Sequence, residues 1–275
     1  MNLTIGFGSR TRGDHDVSSD RDILVISDFV RGTGPSTDHN GSISEFASPT
    51  AIFLATHGSL FFKHIIDEGK LLEGSPRDFL KLRSAWRPAR DYDSEIESNL
   101  DVLELIRFTP RSPRGVSVVA DMLVSTIRNV LIRRFANDGV FIFSWCGLLV
   151  HARRRNWLRD KATDLIVQAR IIKNSYRKSR RALTELSFVN RLADLTRDVT
   201  HGGCPQLGFA SRQTISRLPA RQKSGSYKQL RAAEYLCAEY AGDTALKDLE
   251  ELTKSPNHFA KQVSPQSLSS ITAHY

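Results

Sequence analysis

The 275-residue chain holds only three cysteines, Cys146, Cys204 and Cys237. They lie far apart, without the close pairs that a zinc ribbon or a disulfide-stapled scaffold needs. Cys204 follows His201 in His201-Gly-Gly-Cys204, but two ligand types with no second pair make a poor zinc site. Long apolar runs are missing too: the longest, Val140 to Val150, is too short to cross a bilayer. No basic-then-apolar leader opens the chain, because Met1 leads straight into alternating residues; the expectation is a cytoplasmic protein with no membrane partner. The chain shows no internal repeat.

Hydrophobic residues make up 40% of the sequence and charged residues 25%, the balance of a globular chain rather than a disordered one. The length allows one large or two modest domains, each able to bury a core. The formal charge of +9 is concentrated. Residues 151–181 carry eleven Lys or Arg against Asp160 and Asp164, while the rest of the chain is balanced. Such a field attracts polyanions: nucleic acid, nucleotide phosphates or an acidic partner. The other reading is a solvated helix face that keeps the protein in solution.

Chemistry concentrates in the first 28 residues. Leu3, Ile5 and Phe7 alternate with Asn2, Thr4 and Gly6 as in a half-buried strand, and Ile23 to Ile26 form a second apolar run. Gly8-Ser9 stands where the first strand should end. Glycine allows a sharp turn there and leaves peptide N–H groups able to face an anion. Asp20 and Asp22 open the second strand, and its period of two puts both carboxylates on one face with Arg21 on the other. Two carboxylates aimed at one point suit Mg²⁺, which is held by one or two carboxylates together with substrate phosphates.

Gly8-Ser9, ten intervening residues, then Asp20-Arg21-Asp22 and a hydrophobic strand resembles the signature of the DNA polymerase β-like nucleotidyltransferase superfamily in its minimal bacterial form. Arg12-Gly13-Asp14 and Ser19-Asp20 match the surroundings of that motif. Gly58-Ser59-Leu60-Phe61, His64 and Glu68-Gly69 resemble a stretch that follows the catalytic sheet in one branch of the group. The likeness covers roughly residues 3 to 74. It implies that Asp20 and Asp22 hold Mg²⁺, that Gly8 and Ser9 cradle a triphosphate such as ATP, and that Arg12 assists at the phosphates. A third carboxylate, on a further strand, is expected to activate the acceptor hydroxyl. Here Phe29 to Asn40 reads as a loop where relatives place a helix, and Ser42 to Phe46 as a strand; Glu45 is the candidate, with Asp38 as its substitute. His64 reads as a helix-face histidine with a structural hydrogen bond rather than as a base.

Helical spacing governs the remainder. Pro49 to Glu68 predicts one or two helices broken near His57-Gly58, and Lys70 to Glu73 a short edge strand. Ser75-Pro76 opens another helix. The positions Tyr92, Ile96, Leu100, Leu103 and Ile106 predict a further amphipathic helix. Thr109-Pro-Arg-Ser-Pro113 is the expected boundary. Val116 to Phe135 predicts a central buried helix, and Val140 to Val150 either a strand or a buried helix. Leu158, Ala162, Leu165, Ala169, Ile172 and Tyr176 form one packing seam, with Arg170, Lys173, Arg177 and Arg181 as an exposed basic line on another face. Leu186 to Val199 and Leu230 to Tyr240 predict two more helices.

The expected architecture is α+β: a small N-terminal mixed β-sheet with flanking helices, the nucleotidyltransferase fold, over residues 1–110, then a mostly α-helical bundle over 111–275. The expected activity is Mg²⁺-dependent transfer of a nucleoside monophosphate, AMP from ATP, to a hydroxyl on a small molecule, a protein or an RNA end. Two readings compete: a catalytically weak nucleotide-binding or antitoxin module, and a basic nucleic-acid binder using residues 151–181.

Overall fold

The computed structural model describes residues 1–13, 21–28, 34–38, 41–108, 110, 112–179, 185–208, 214, 217–222 and 226–240. The fold is α+β, and the chain forms two compact units. Among the described residues the first comprises Met1–Tyr92 with Phe135–Ser144, and the second Asp93–Arg134 with the chain from Trp145 to Tyr240.

The first unit is built on five strands: β1 (Leu3–Phe7), β2 (Asp22–Ser27), β3 (Gly34–Asp38), β4 (Gly41–Ala47) and β5 (Lys70–Gly74), in the spatial order β3-β4-β2-β1-β5. β1 pairs antiparallel with β2 and β5, whereas β2 and β4 run parallel. Phe29 to Asn40, read as loop, contains β3, which pairs antiparallel with β4 despite having no large apolar residue. Leu3, Ile5 and Phe7 of β1 and Leu24 and Ile26 of β2 share one face and are buried there. Helices α2 (Ser48–Thr56), α3 (Leu60–Glu68) and α4 (Pro76–Ala85) supply Ala51, Ala55, Phe62, Ile65, Ile66 and Leu82 to the same core. Removing a side chain such as Phe62 from water contributes about 2 kcal/mol. A short α1 (Ser9–Arg12) follows β1.

In the second unit α5 (Asp93–Asp101) runs into a 3₁₀ turn, and α6 (Pro113–Asn137), α7 (Trp145–Arg154), α8 (Asp160–Ser179), α9 (Leu186–Val199) and α10 (Tyr227–Tyr240) follow. Val140 to Val150 is therefore neither of the two expected elements throughout: irregular chain leads into α7. Among the described residues α6 is long and apolar enough by length and composition to cross a membrane, yet 83% of its most apolar stretch is buried within the protein. That burial marks it as the central helix of this unit.

A closed ionic network ties three of these helices together. Arg231 on α10 donates to Glu234 at 2.5 Å and to Asp121 on α6 at 2.6 Å, with Asp121 wholly buried. Tyr176 on α8 donates its hydroxyl to Glu234 at 3.1 Å. Burial opposes the charge on Arg231, but Glu234 and Asp121 outweigh it and hold its pKa above the usual value. Lys173 was expected in an exposed basic line; instead it is half-buried, reaches Ser125 at 2.9 Å and stands 3.6 Å from Asp121. The attraction of a buried carboxylate turns it inward. The seam of α8 also shifts by one position, since Ile166 is fully buried while Leu165 is half-exposed.

Candidate functional site

β1 ends at Phe7 because Gly8 turns the backbone to φ 81°, ψ −165°, a region closed to L side chains. A second constraint acts at the same place. A methyl group on Gly8 would collide with the carboxylate of Asp22, which lies directly over the Gly8 backbone. Antiparallel pairing of Phe7 with Asp22 fixes this juxtaposition. Gly8 and Asp22 thus lie together, and Ser9 opens α1. Asp20 lies outside the described residues. Among the described residues no group of three His, Cys, Asp or Glu side chains converges as a metal site.

α1 carries Arg12 to two partners on α3. Arg12 Nη1 donates to Glu68 Oε2 at 2.5 Å and stands 3.2 Å from His64 Nε2. His64 Nε2 is also 2.8 Å from Glu68 Oε2, across the single turn that separates positions i and i+4. All three side chains are mostly buried, at 14–19% exposure. Burial of the Glu68 carboxyl favours its neutral form, but the hydrogen bonds from His64 and then Arg12 prevail and hold its pKa below the ordinary 4.5.

The helix that presents these partners is amphipathic in a way that explains their placement. Ser59 caps α3 by accepting from the Phe62 amide, and Gly69 follows its last residue. Phe62, Ile65 and Ile66 point into the core, which leaves His64 and Glu68 on a flank. The His64 ring is fixed by aromatic contacts, edge-on to Phe7 at 5.6 Å and stacked on Phe143 at 4.7 Å. Lys63 lies 4.9 Å from both the Trp86 and Phe141 rings and pairs with Asp67 at 2.7 Å. The expectation of a structural rather than basic His64 fits these contacts.

The third carboxylate does not join. β2 and β4 pair in parallel register, with Asp22 beside Ser42 and Val25 beside Glu45. Side chains alternate along a strand, so Glu45, three positions beyond Ser42, leaves from the opposite face to Asp22, and it is exposed. The placement of Glu45 as a third metal-bridging group is corrected on that ground. Asp38 pairs through its backbone with Gly41 at the far end of β3.

Sequence reasoning missed the partners of Arg12. The i,i+4 spacing of His64 and Glu68 was visible, but nothing local says that Arg12, more than fifty positions earlier, meets them. Phe143 had no signal at all, being remote in sequence from everything it touches here. The Cys204 thiol is buried, and that burial pushes its pKa up to about 11, so it is protonated at neutral pH. No protein-family model matches the chain, and no curated protein does.

Proposed function

We propose that the chain is a Mg²⁺-dependent nucleotidyltransferase of the polymerase β-like type, moving AMP from ATP to a hydroxyl acceptor. The observation that carries this reading is the packing of the Asp22 carboxylate against the Gly8 backbone at the end of β1. That arrangement sets an anion-accepting turn beside a cation-binding carboxylate, the two requirements of a nucleotide–metal site. Asp22 and Asp20 are the residues that would hold Mg²⁺; when bound, the ion neutralises charge on the triphosphate and on departing pyrophosphate. The Gly8 and Ser9 amides and the Ser9 hydroxyl bind phosphate oxygens. Arg12, steered by Glu68 and His64, adds a positive charge at the edge of that turn. Phosphoryl transfer asks chiefly for positioning and charge stabilisation, so the loss of Glu45 as acceptor base weakens turnover more than nucleotide binding.

That last point favours a second reading, a nucleotide-binding module with little turnover, because Glu45 faces away from Asp22. Cytoplasmic location and a hydroxyl acceptor go with either reading as proposals. One experiment separates them. The protein is incubated with Mg²⁺ and α-labelled ATP, beside Asp20→Ala/Asp22→Ala. Transfer of label or release of pyrophosphate that falls at least about a hundredfold in the double variant supports the enzyme. Magnesium-dependent ATP binding without transfer supports the module. Activity that survives the double change, or no magnesium-dependent binding at all, removes both.

A further inference from the structure

The most basic part of the sequence contains a built cavity. α7 ends in a Schellman closure: the Asn156 amide donates to the Arg153 carbonyl at 2.9 Å and the Trp157 amide to Ala152 at 2.9 Å. Asn156 takes the left-handed conformation that the closure requires, at φ 57°. The reversal brings the start of α8 back toward the last turn of α7. Between them lies an open cavity of about 640 Å³, lined by Val150, Arg153, Arg154, Asn156, Leu158 and Arg159.

Three arginines therefore border one space, and among the described residues no carboxylate lines it. All three arginines are exposed. Among the described residues no ion pair is formed by Arg154 or Arg159. Two basic residues at the end of α7 suit the helix dipole, which accounts for Arg153 and Arg154 but not for Arg159, which precedes the first residue of α8. The like charges of Arg154 and Arg159 beside one cavity repel one another, and a ligand carrying several negative charges relieves that repulsion. Guanidinium forks match phosphate oxygens in geometry as well as charge. The volume exceeds what a single phosphate ion fills, and the charge continues past the cavity through exposed Lys161. Repeated phosphates on a flexible chain fit that pattern, with exposed Val150 available to sugars and base edges.

We infer that the Arg153–Arg154–Arg159 cavity is a binding site for the phosphodiester backbone of single-stranded nucleic acid. The site is independent of nucleotidyl transfer and stands or falls separately from it.

The test uses the full chain and fluorescein-labelled 15-mers of oligo(U) and oligo(dT), read by anisotropy across a salt series. Arg153→Ala/Arg154→Ala/Arg159→Ala is compared with Arg77→Ala/Arg83→Ala/Arg90→Ala, which removes the same charge from exposed positions elsewhere. The expected result is a loss of about tenfold or more in the cavity variant, less than about twofold in the control, and a shallower salt dependence by roughly two units of log–log slope in the cavity variant alone. Arg159→Glu, a single exposed change, should reproduce most of the loss if the triple variant fails to fold. Equal losses in the cavity and control variants would reduce the site to a diffuse charge effect and overturn it. So would absence of oligonucleotide binding at low salt, or cavity-dependent binding to phosphatidylserine vesicles with none to either oligonucleotide.

Discussion

The two units treat paired charges in opposite ways. In the first, Arg12, His64 and Glu68 form a cluster that keeps 14–19% of each side chain in contact with solvent, at the edge of the Gly8 turn. In the second, Asp121 and Arg231 are sealed at 0% and 3% exposure, and Glu234 at 10%. A cluster that water still reaches can exchange a partner for a ligand without leaving a bare charge in a dry interior. A sealed network cannot, because removing one member strands the others at high cost. Under the proposed function the difference gives Glu68 and His64 the positioning of Arg12, and the sealed network around Arg231 the maintenance of the fold.

The sharpest way to break that contrast is to open the sealed network. Arg231→Ala should destabilise the helical unit by about 3–5 kcal/mol, read as faster amide exchange in peptides from α6 and α10, with the sheet unit less affected. Replacing Asp121, Arg231 and Glu234 together by Leu, Met and Leu, with Lys173→Met and Tyr176→Phe to remove the groups that would lose their partners, should recover most of that loss, since no charge is then left unpaired. A sheet unit as damaged as the helices would erase the distinction.

Gly8→Ala comes next. It combines a positive φ with a collision at Asp22, at a cost of about 1–3 kcal/mol, together with loss of ATP binding. Thermal melting and nucleotide titration of the variant check both. Retained ATP affinity would separate the turn from the nucleotide site.

A smaller effect is expected at Glu68. Its carboxyl has a depressed pKa when folded, so its stabilisation is present in full above the ordinary 4.5 and fades as pH falls through the lower folded value. Glu68→Gln should therefore cost on the order of 1 kcal/mol at pH 7, with the gap to the native protein closing below 4.5. Melting curves at pH 7 and at low pH measure this; a gap that does not change with pH would mean the carboxylate charge is irrelevant. Glu45→Gln marks the floor. On an exposed strand face away from Asp22, it should change stability by less than about 0.5 kcal/mol and leave nucleotide binding unaltered.

What could be read from the sequence was local. β1 followed from alternation, β2 from its apolar run, α6 from apolarity on more than one side, and the α8 seam, apart from Ile166 in place of Leu165, from its steps of three and four. Gly8 and Asp22 emerged because a turn and a strand start can each be recognised from a few residues. β3 could not be recognised, since Gly34-Pro-Ser-Thr-Asp38 has no hydrophobic alternation and owes its conformation to pairing with β4. Glu45 was misplaced for a related reason. Which face a strand residue occupies relative to another strand depends on register, and the parallel pairing of β2 with β4 is set by long-range packing. The partners of Arg12 and the inward turn of Lys173 are likewise tertiary facts, invisible to spacing along one element.

The return of Phe135–Ser144 to the first unit has a bearing on biosynthesis. Phe143 stacks on His64 and Phe141 faces Lys63, so the rings that steady α3 are encoded well after the strands they serve. A nascent chain leaving the ribosome can pair β1, β2 and β4 early, but its sheet unit stays unfinished until the whole of α6 has been translated. A polypeptide cut after residue 110 would retain every motif residue from Gly8 to Glu68 and still lack the Phe143 ring stacked on His64.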